Sequence, residues 1–280
     1  MSFEYTSIYL DDPIVEGRAL DVFEPGKARR ELALFFVHGG GWRGGSRSGS
    51  HALMRAFNAE GFVCAATDYR LAGVHILDQL TDVRHGYDAF TGYLARHALP
   101  RQVAVFGSSA GAHLAALLAL AVPGQCGESL RFHRKELEND WQSPVGAILS
   151  CGPVTFEPWE DIFPHIWISM QDIVGVPYAD APEAYRRVSP IEYVGSESPP
   201  CFMVCAENEH MFPFDQTMRF VEKMRSFGGI AEHKVYPRTE HGFLYDVVRR
   251  QQKEAFSDII AFLQTLIGGD TERSSKASAV

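Results

Sequence analysis

VAVFGSSAGAHLAALLALAV, residues 103–122, is the stretch that decides the fold. Its first four residues are typical of a buried strand, and the almost wholly apolar run 110–122 predicts a helix buried on several sides. Between them, GSSAG at 107–111 has the form G-x-S-x-G in the order strand, sharp turn and helix that exposes a nucleophilic serine. Glycines on both sides let neighbouring backbone approach Ser109, and a helix N-terminus favours developing negative charge. The stretch therefore predicts that Ser109 is a nucleophile, and its context disfavours a plain turn of small residues.

The alternation of strand and helix continues on both sides of this stretch. Apolar runs typical of buried strands recur at residues 32–37, 62–66, 145–149 and 202–205. Helical patterns lie between these runs at residues 51–60 and 76–97 and after the last of them at residues 214–227 and 245–267. This alternation predicts an α/β fold in which helices flank a mostly parallel sheet with right-handed crossovers.

Two long stretches interrupt the rhythm. Residues 124–144 are polar and charged, and residues 155–200 contain several large aromatic side chains, among them Trp159 and Trp167. Connections of this length are usually functional or contain helices of their own. We expect a single domain over residues 1–268 with cap-like insertions at these places, the second lying over the carboxyl edge of the sheet; a surface excursion is the alternative. The small, polar residues 269–280 predict a flexible C-terminal tail.

A glycine-rich segment, HGGGW at 38–42, directly follows the apolar run 32–37. Glycines at this position let backbone N–H groups face a cavity, which is how an oxyanion hole is formed. The predicted donors are the N–H groups of Gly40, Gly41 and Ala110. The segment also fits a dinucleotide-binding glycine pattern, but residues 45–50 prolong the loop where that pattern requires a helix, and the lysine of a phosphate-binding loop is missing.

A base and an acid are expected later in the chain, in the order serine, acid, histidine. His241, in TEHGF at 239–243, follows a strand-like run and precedes the last helix, so it is the predicted base. The acid should follow the run 201–205, where Glu209 fits best, before a turn closed by a proline. Glu207 and Asp215 are the alternatives, and either carboxylate type can orient the imidazole.

Composition narrows the function classes. The net charge of −9 disfavours nucleic acid as a partner, because phosphate binding needs a concentrated basic surface. Five cysteines without a C-x-x-C pair argue against a disulfide framework and a thiolate zinc site. No apolar run approaches the roughly 20 residues that span a membrane, and the first residues do not look like a secretory signal. A cytoplasmic protein that acts on a small molecule is therefore expected.

Taken together, the motifs resemble those of the α/β-hydrolase superfamily. They are most similar to its small carboxylesterases with an HGGGW oxyanion loop, near the hormone-sensitive-lipase-like, feruloyl/acetyl-type and arylformamidase groups. The resemblance rests on HGGGW at 38–42, DYR at 68–70, GSSAGAHL at 107–114, SPI at 189–191, PP at 199–200, ENEHMFP at 207–213 and EHGF at 240–243. It implies an eight-stranded sheet whose first antiparallel pair comes from residues 6–10 and 20–23. Those families usually have aspartate where this chain has Glu209.

The resemblance implies a serine hydrolase that cleaves small carboxylic esters through an acyl-enzyme on Ser109, with no metal or organic cofactor. Two alternatives stay open: an arylformamidase, which hydrolyses an N-formyl aromatic amide, and a non-catalytic small-molecule binding protein on the same fold. Three aromatic side chains, Trp42, Trp159 and Trp167, are expected to contact the acyl or aryl group. Whether the protein is a homodimer is left open.

Overall fold

The computed structural model describes residues 4–10, 17–26, 29–71, 73–130 and 141–277, with side chains as far as residue 267. Within this part of the chain, eight strands form one sheet. They are β1 Thr6–Tyr9, β2 Ala19–Phe23, β3 Leu32–Val37, β4 Val63–Thr67, β5 Gln102–Ser108, β6 Gly146–Ser150, β7 Cys201–Asn208 and β8 Ala231–Glu240.

The strand order is β1-β2-β4-β3-β5-β6-β7-β8. β1 pairs antiparallel with β2, and β2 pairs antiparallel with β4. All later pairs are parallel, and in the centre Val37 of β3 lies opposite Gly107 of β5. The prediction of an eight-stranded, mostly parallel sheet with an antiparallel first pair is confirmed. β3, β4 and β6 are buried along their whole length, because helices cover both faces of the sheet.

Seven helices flank the sheet in the described part of the chain. They are α1 His51–Ala59, α2 Ile76–Arg96, α3 Ala110–Leu120, α4 Pro164–Val174, α5 Pro182–Arg187, α6 Phe214–Ser226 and α7 Arg250–Ala277. α2 and α3 pack on one face with the larger hydrophobic core, and α1 and α7 pack on the other. No helix among the described residues has both the length and the hydropathy to cross a membrane.

Helix bounds differ from the sequence prediction mainly at α7. It begins at Arg250 instead of residue 245, because residues 243–248 form a loop. It also continues to Ala277, into the segment that composition predicted to be a flexible tail. That segment contains no proline that would stop the helix, although Gly268 and Gly269 each weaken it by about 0.5–1 kcal/mol. Its flexibility stays a prediction, and residues 278–280 lie outside the described residues.

The interruption at 155–200 contains α4, α5 and a short 3-10 turn at Pro190–Tyr193. α4 begins with Pro164 and is followed by Gly175, whose φ of 77° is typical of the residue that terminates a helix. In the interruption at 124–144, Glu128 forms a fully buried ion pair with Arg84 at 2.6 Å, while residues 131–140 lie outside the described residues. The assignment of both interruptions as cap-like insertions of a single domain stays a prediction.

Parallel strands end at the same edge of a sheet, which brings distant segments together. The glycine loop after β3, the turn after β5, the start of the loop after β6 and the segments after β7 and β8 all lie at this edge. The segments after β3, β5, β7 and β8 are those in which the sequence predicted the oxyanion donors, nucleophile, acid and base.

A buried histidine, His113, connects α3 to the glycine loop and to the residue that follows α5. The Nδ1 atom of His113 accepts a hydrogen bond from the indole N–H of Trp42 at 3.3 Å, and its Nε2 donates to the carbonyl of Val188 at 2.7 Å. These partners require the neutral tautomer that carries its proton on Nε2. Complete burial lowers the pKa of His113 to about 4.

We expect the pKa of His113 to make folding sensitive to acid. Between pH 6.5, the ordinary histidine pKa, and about 4, the unfolded chain binds a proton that the folded protein excludes, so stability falls as the pH falls. The difference between these two pKa values corresponds to at most about 3.4 kcal/mol. Urea unfolding at pH 7 and pH 4.5 should show a smaller loss of stability for His113→Gln than for the wild type.

The exposed His165 provides the matched control for this comparison. His165→Gln should lose as much stability as the wild type over the same pH interval. Equal losses in the wild type and His113→Gln would contradict the prediction.

Candidate active site

Ser109 lies in the sharp turn between β5 and α3. Its φ of 54° and ψ of −124° form a backbone conformation that costs a residue with a side chain about 1–3 kcal/mol. The Ser109 N–H donates to the carbonyl of Ser150 at 2.8 Å, which fixes the turn to β6. A Cβ atom on Gly107 would lie 2.3 Å from the Gly111 carbonyl oxygen, and one on Gly111 would lie 2.1 Å from the Val37 oxygen. The turn therefore requires glycine at both flanking positions.

His241 lies in the loop after β8 and faces Ser109. Its Nε2 atom is 2.8 Å from Ser109 Oγ. Its Nδ1 atom is 2.8 and 3.0 Å from the two carboxylate oxygens of Glu209. The side chains of His241 and Glu209 are only 12% and 11% exposed, so water competes weakly for these hydrogen bonds.

Glu209 follows β7 and is held by the backbone of its own turn. Its Oε1 atom accepts hydrogen bonds from the N–H groups of Met211 at 2.9 Å and Phe212 at 3.4 Å. Burial alone would raise the pKa of this carboxyl group. The hydrogen bond and charge interaction with His241, together with the two N–H donors, outweigh burial and hold the pKa of Glu209 below its ordinary value.

The two alternative acids have other positions. Glu207 is exposed and accepts a hydrogen bond from the N–H of Arg238 at 2.7 Å. Asp215 lies in the first turn of α6. The geometry therefore favours Glu209 among the three as the partner of His241.

The glycine loop after β3 forms a tight turn beside the serine. The N–H groups of Arg43 and Gly44 both donate to the Gly40 carbonyl, at 3.1 and 2.9 Å. Gly40 has φ 126° and Gly41 has φ 59°, values that favour glycine. Both residues line the same cavity as Ser109. Ala110 is the first residue of α3, so its N–H has no intrahelical carbonyl partner four residues earlier.

Side-chain contacts hold this loop in place at both ends. The ring of His38 stacks on that of Tyr69 with centroids 4.2 Å apart, and the Tyr69 hydroxyl donates to the His38 carbonyl at 2.8 Å. Burial lowers the pKa of His38, which favours the neutral ring. At the other end, Gln79 donates to the carbonyl of Trp42 at 2.7 Å. The position of the glycine N–H groups thus depends on buried contacts outside the loop.

A cavity of about 510 Å³ opens in front of Ser109 and His241. The glycine loop, α4 and the turn after Glu209 form its walls. Its other lining residues are Gly39, Trp42, Arg43, Ser108, His165, Ile166, Ser169, Met211, Phe212 and Gly242. An ion pair between Arg43 and Asp172 joins the glycine loop to α4.

The three tryptophans predicted to contact substrate occupy different positions. Trp42 borders the cavity, but its side chain is 1% exposed and its indole N–H is bound to His113. Trp159 packs against the core and contacts Phe212, with ring centroids 6.0 Å apart. Trp167 packs against Tyr185, another residue of the segment 155–200, with ring centroids 5.7 Å apart. Their contact with substrate stays a prediction, and these packing contacts favour a role in the core.

Residues of α4 that the sequence analysis did not select form one wall of the cavity. His165 and Ser169 are four residues apart and so lie on one helix face, next to Ile166. The helical spacing after Pro164 was the signal that could have identified them. On the acid side, Met211 and Phe212 were also missed as lining residues.

One cluster near the acid has the donor types of a metal site. Cys151, which directly follows β6, places its thiol close to Glu209 and His241, with the three potential ligand atoms within 4.8 Å of one another. Sulfur, imidazole nitrogen and carboxylate oxygen are the ligands that zinc prefers.

Relatives identified by sequence include several proteins named as esterases. Esterase LipC of Mycobacterium tuberculosis is 30% identical over 253 residues, which cover 84% of this chain and 59% of LipC. Isoprenylcysteine alpha-carbonyl methylesterase ICME of Arabidopsis thaliana is 24% identical over 236 residues, covering 82% of this chain and 55% of ICME. The chain thus spans little more than half the length of these relatives.

Solved structures show the same fold. Thermogutta terrifontis esterase 2 phosphoramylated by tabun superposes with a TM-score of 0.76 at 20% identity, covering 95% of both chains. The propionate-bound form of that esterase gives a TM-score of 0.70 at 22% identity, covering 96% of this chain and 93% of the other. The BD-FAE family model matches residues 20–224. With most of its length matched in this way, the chain belongs to the BD-FAE family and has the α/β-hydrolase fold.

Proposed function

We propose that the protein is a serine carboxylesterase that cleaves small esters through an acyl-enzyme on Ser109. The observation that carries the proposal is the continuous hydrogen-bond path from Ser109 Oγ through both nitrogens of His241 to Glu209. This arrangement of nucleophile, base and orienting acid is the one that activates a serine hydroxyl. The relatives named as esterases support the same reaction class.

In the acylation step, His241 accepts the proton of Ser109 while Oγ attacks the ester carbonyl. Because Nδ1 donates its proton to Glu209, Nε2 is the unprotonated nitrogen that faces the hydroxyl. The lowered pKa keeps the Glu209 carboxylate charged at neutral pH, and this charge stabilises the imidazolium ion as it forms. His241 then gives the proton to the leaving alcohol.

The carbonyl oxygen acquires negative charge as the tetrahedral intermediate forms. We assign its stabilisation to the N–H groups of Gly40, Gly41 and Ala110, each of which is typically worth about 2.7–4 kcal/mol in an oxyanion hole. A water molecule, deprotonated by His241, then hydrolyses the acyl-enzyme and regenerates the serine. Every proton transfer in this cycle uses residues of this chain.

The cavity supports a small-molecule substrate. Its volume of about 510 Å³ lies within the usual range of roughly 300–1,000 Å³ for ligand sites. Arg43 and His165 add polar groups to walls that also contain Ile166, Met211 and Phe212. We further propose a cytoplasmic location, where thiols stay reduced, because all five cysteines are free and buried. Homodimer formation and the lack of nucleic-acid binding stay predictions from the sequence.

The first test is turnover of p-nitrophenyl acetate, butyrate and octanoate, and of N-formylkynurenine. Wild-type protein should hydrolyse the short esters fastest. In Ser109→Ala, kcat should fall by several orders of magnitude, up to about 10⁶-fold. Ser108→Ala is the matched control, since it removes the neighbouring hydroxyl and should keep most of the turnover. Equal, low rates in the wild type and Ser109→Ala would exclude the proposed nucleophile, and a preference for the formamide would indicate an arylformamidase.

Substituting the acid tests how His241 is oriented. Glu209→Gln should reduce kcat roughly 10⁴-fold, because the amide no longer favours the tautomer with the proton on Nδ1 or stabilises imidazolium. Glu207→Gln makes the same change in an exposed carboxylate of the same segment and should have little effect. If Glu207→Gln or Asp215→Asn removed activity while Glu209→Gln retained it, the acid assignment would be wrong.

Neighbouring glycines of the loop provide a matched test of the oxyanion hole. A Cβ atom on Gly40 would lie 2.2 Å from the Gly44 carbonyl oxygen, whereas one on Gly41 would meet no atom within 4 Å. Gly40→Ala must therefore move the loop, and kcat/KM should fall about 10²–10³-fold. Gly41→Ala should cause a smaller loss. Equal kcat/KM values for both variants and the wild type would argue against a catalytic role of this loop, provided that circular dichroism shows both variants folded.

A further inference from the structure

Cys151 lies beside Glu209 and His241 but has no part in the proposed mechanism. Its backbone has a φ of 51°, unusual for a residue with a side chain, which turns it away from the regular path of β6. Its thiol, an oxygen of Glu209 and a nitrogen of His241 all lie within 4.8 Å of one another. The sheet edge thus brings together one sulfur, one oxygen and one nitrogen ligand from three separate segments of the chain.

A small cavity adjoins this cluster. It has a volume of about 20 Å³ and is lined by Cys151, Cys205 and Glu209, among other residues. A volume of about 10–15 Å³ is enough for one water molecule, so the cavity has room for a water that completes the coordination of an ion bound by the cluster. Phe212 lines both this cavity and the larger one in front of Ser109. The cluster therefore has adjacent space that the proposed hydrolysis does not use.

We propose that Cys151, Glu209 and His241 form an inhibitory binding site for a thiophilic divalent cation such as Zn²⁺. A soft thiolate with imidazole and carboxylate selects zinc or cadmium over magnesium or calcium, which prefer all-oxygen sites. Tetrahedral bonds of about 2.0–2.3 Å place ligand atoms roughly 3.3–3.8 Å apart. The three ligand atoms now lie within 4.8 Å of one another, so binding requires them to move closer by about 1 Å.

Binding at this site would block catalysis by replacing protons. The cation forms bonds to the sulfur, to the Nδ1 atom that faces Glu209 and to the carboxylate oxygen. The thiol proton is released to solvent, and the single proton of the neutral imidazole moves from Nδ1 to Nε2. The cation then occupies the position of the proton that His241 shares with Glu209 across 2.8 Å. The Nε2 atom that faces Ser109 Oγ then carries the ring proton and cannot accept another, so proton transfer from Ser109 stops.

The test measures binding and inhibition separately, because only inhibition depends on the proposed esterase function. Cd²⁺ serves as a spectroscopic probe, since its bond to a thiolate gives an ultraviolet charge-transfer band. Zn²⁺ is titrated against p-nitrophenyl ester turnover, with each variant compared with its own rate without metal. The variants are Cys151→Ser, Cys151→Ala and Ser109→Ala. The matched control is Cys201→Ser, which changes another buried thiol, at the first residue of β7.

We expect the wild type and Cys201→Ser to show the Cd²⁺ band and an inhibition by Zn²⁺ that a chelator reverses. In both Cys151 variants the band should disappear and the Zn²⁺ concentration for half-inhibition should rise at least about tenfold. Ser109→Ala should keep the band although it is inactive, and Mg²⁺ should have no effect. Zn²⁺ should also raise the Tm of the wild type, a measurement that needs no variant. The proposal is overturned if the wild type shows no thiolate band or if folded Cys151 variants keep both the band and the inhibition.

Discussion

Close backbone contact around Ser109 is the constraint on which the rest of the site depends. The turn places α3 against the end of β3 so tightly that a single methyl group on Gly111 would overlap the carbonyl of Val37. A methyl group on Gly39 would in turn lie 2.7 Å from the carbonyl oxygen of Ser108. The oxyanion loop, the serine and the helix N-terminus thus form one unit, in which each backbone segment limits the position of the others. Side-chain chemistry then adds a base and an acid to a geometry that the backbone has already set.

Burial gives three histidines near this unit different properties. His38 and His113 are enclosed, their pKa values are lowered, and as neutral rings they hold the glycine loop and Trp42. His241 instead lies between a hydroxyl and a charged carboxylate and borders the open cavity. The same side chain thus acts as a structural hydrogen-bonding group in two places and as the proposed base in the third, according to its partners and its access to solvent.

Local patterns predicted the fold and the position of the site. Strand and helix types followed from apolar runs and their spacing, since the central strands are buried on both faces and α3 is buried almost all round. Ser109, His241 and Glu209 could be selected because each follows a strand that ends at the same edge of the sheet. The contacts between them are between side chains far apart in sequence, and only the structure shows that they meet.

Features that depend on packing could not be predicted in this way. The aromatic content of residues 155–200 drew attention to Trp159 and Trp167, yet His165, Ile166 and Ser169 line the cavity, because the orientation of α4 decides which face borders it. The cysteine spacing argued against a thiolate zinc site, but the C-x-x-C rule detects only ligands that are close in sequence. The neighbourhood of Cys151 and Glu209 arises from the pairing of β6 with β7.

The ends of the sheet strands carry the groups proposed for bond cleavage, whereas a wall of the cavity comes from α4, which belongs to an insertion between two strands. The two parts touch through the exposed ion pair of Arg43 and Asp172 and through the buried hydrogen bond from His113 to the carbonyl of Val188. The ion pair, which joins α4 to the glycine loop, contributes at most about 1 kcal/mol. Substitutions on the cavity face of α4 can therefore change the range of compounds accepted while the reactive centre stays unchanged. For protein engineering, the cavity-lining positions His165 and Ser169 are accordingly the place to diversify in a library, and the glycines around Ser109 are the positions to leave alone.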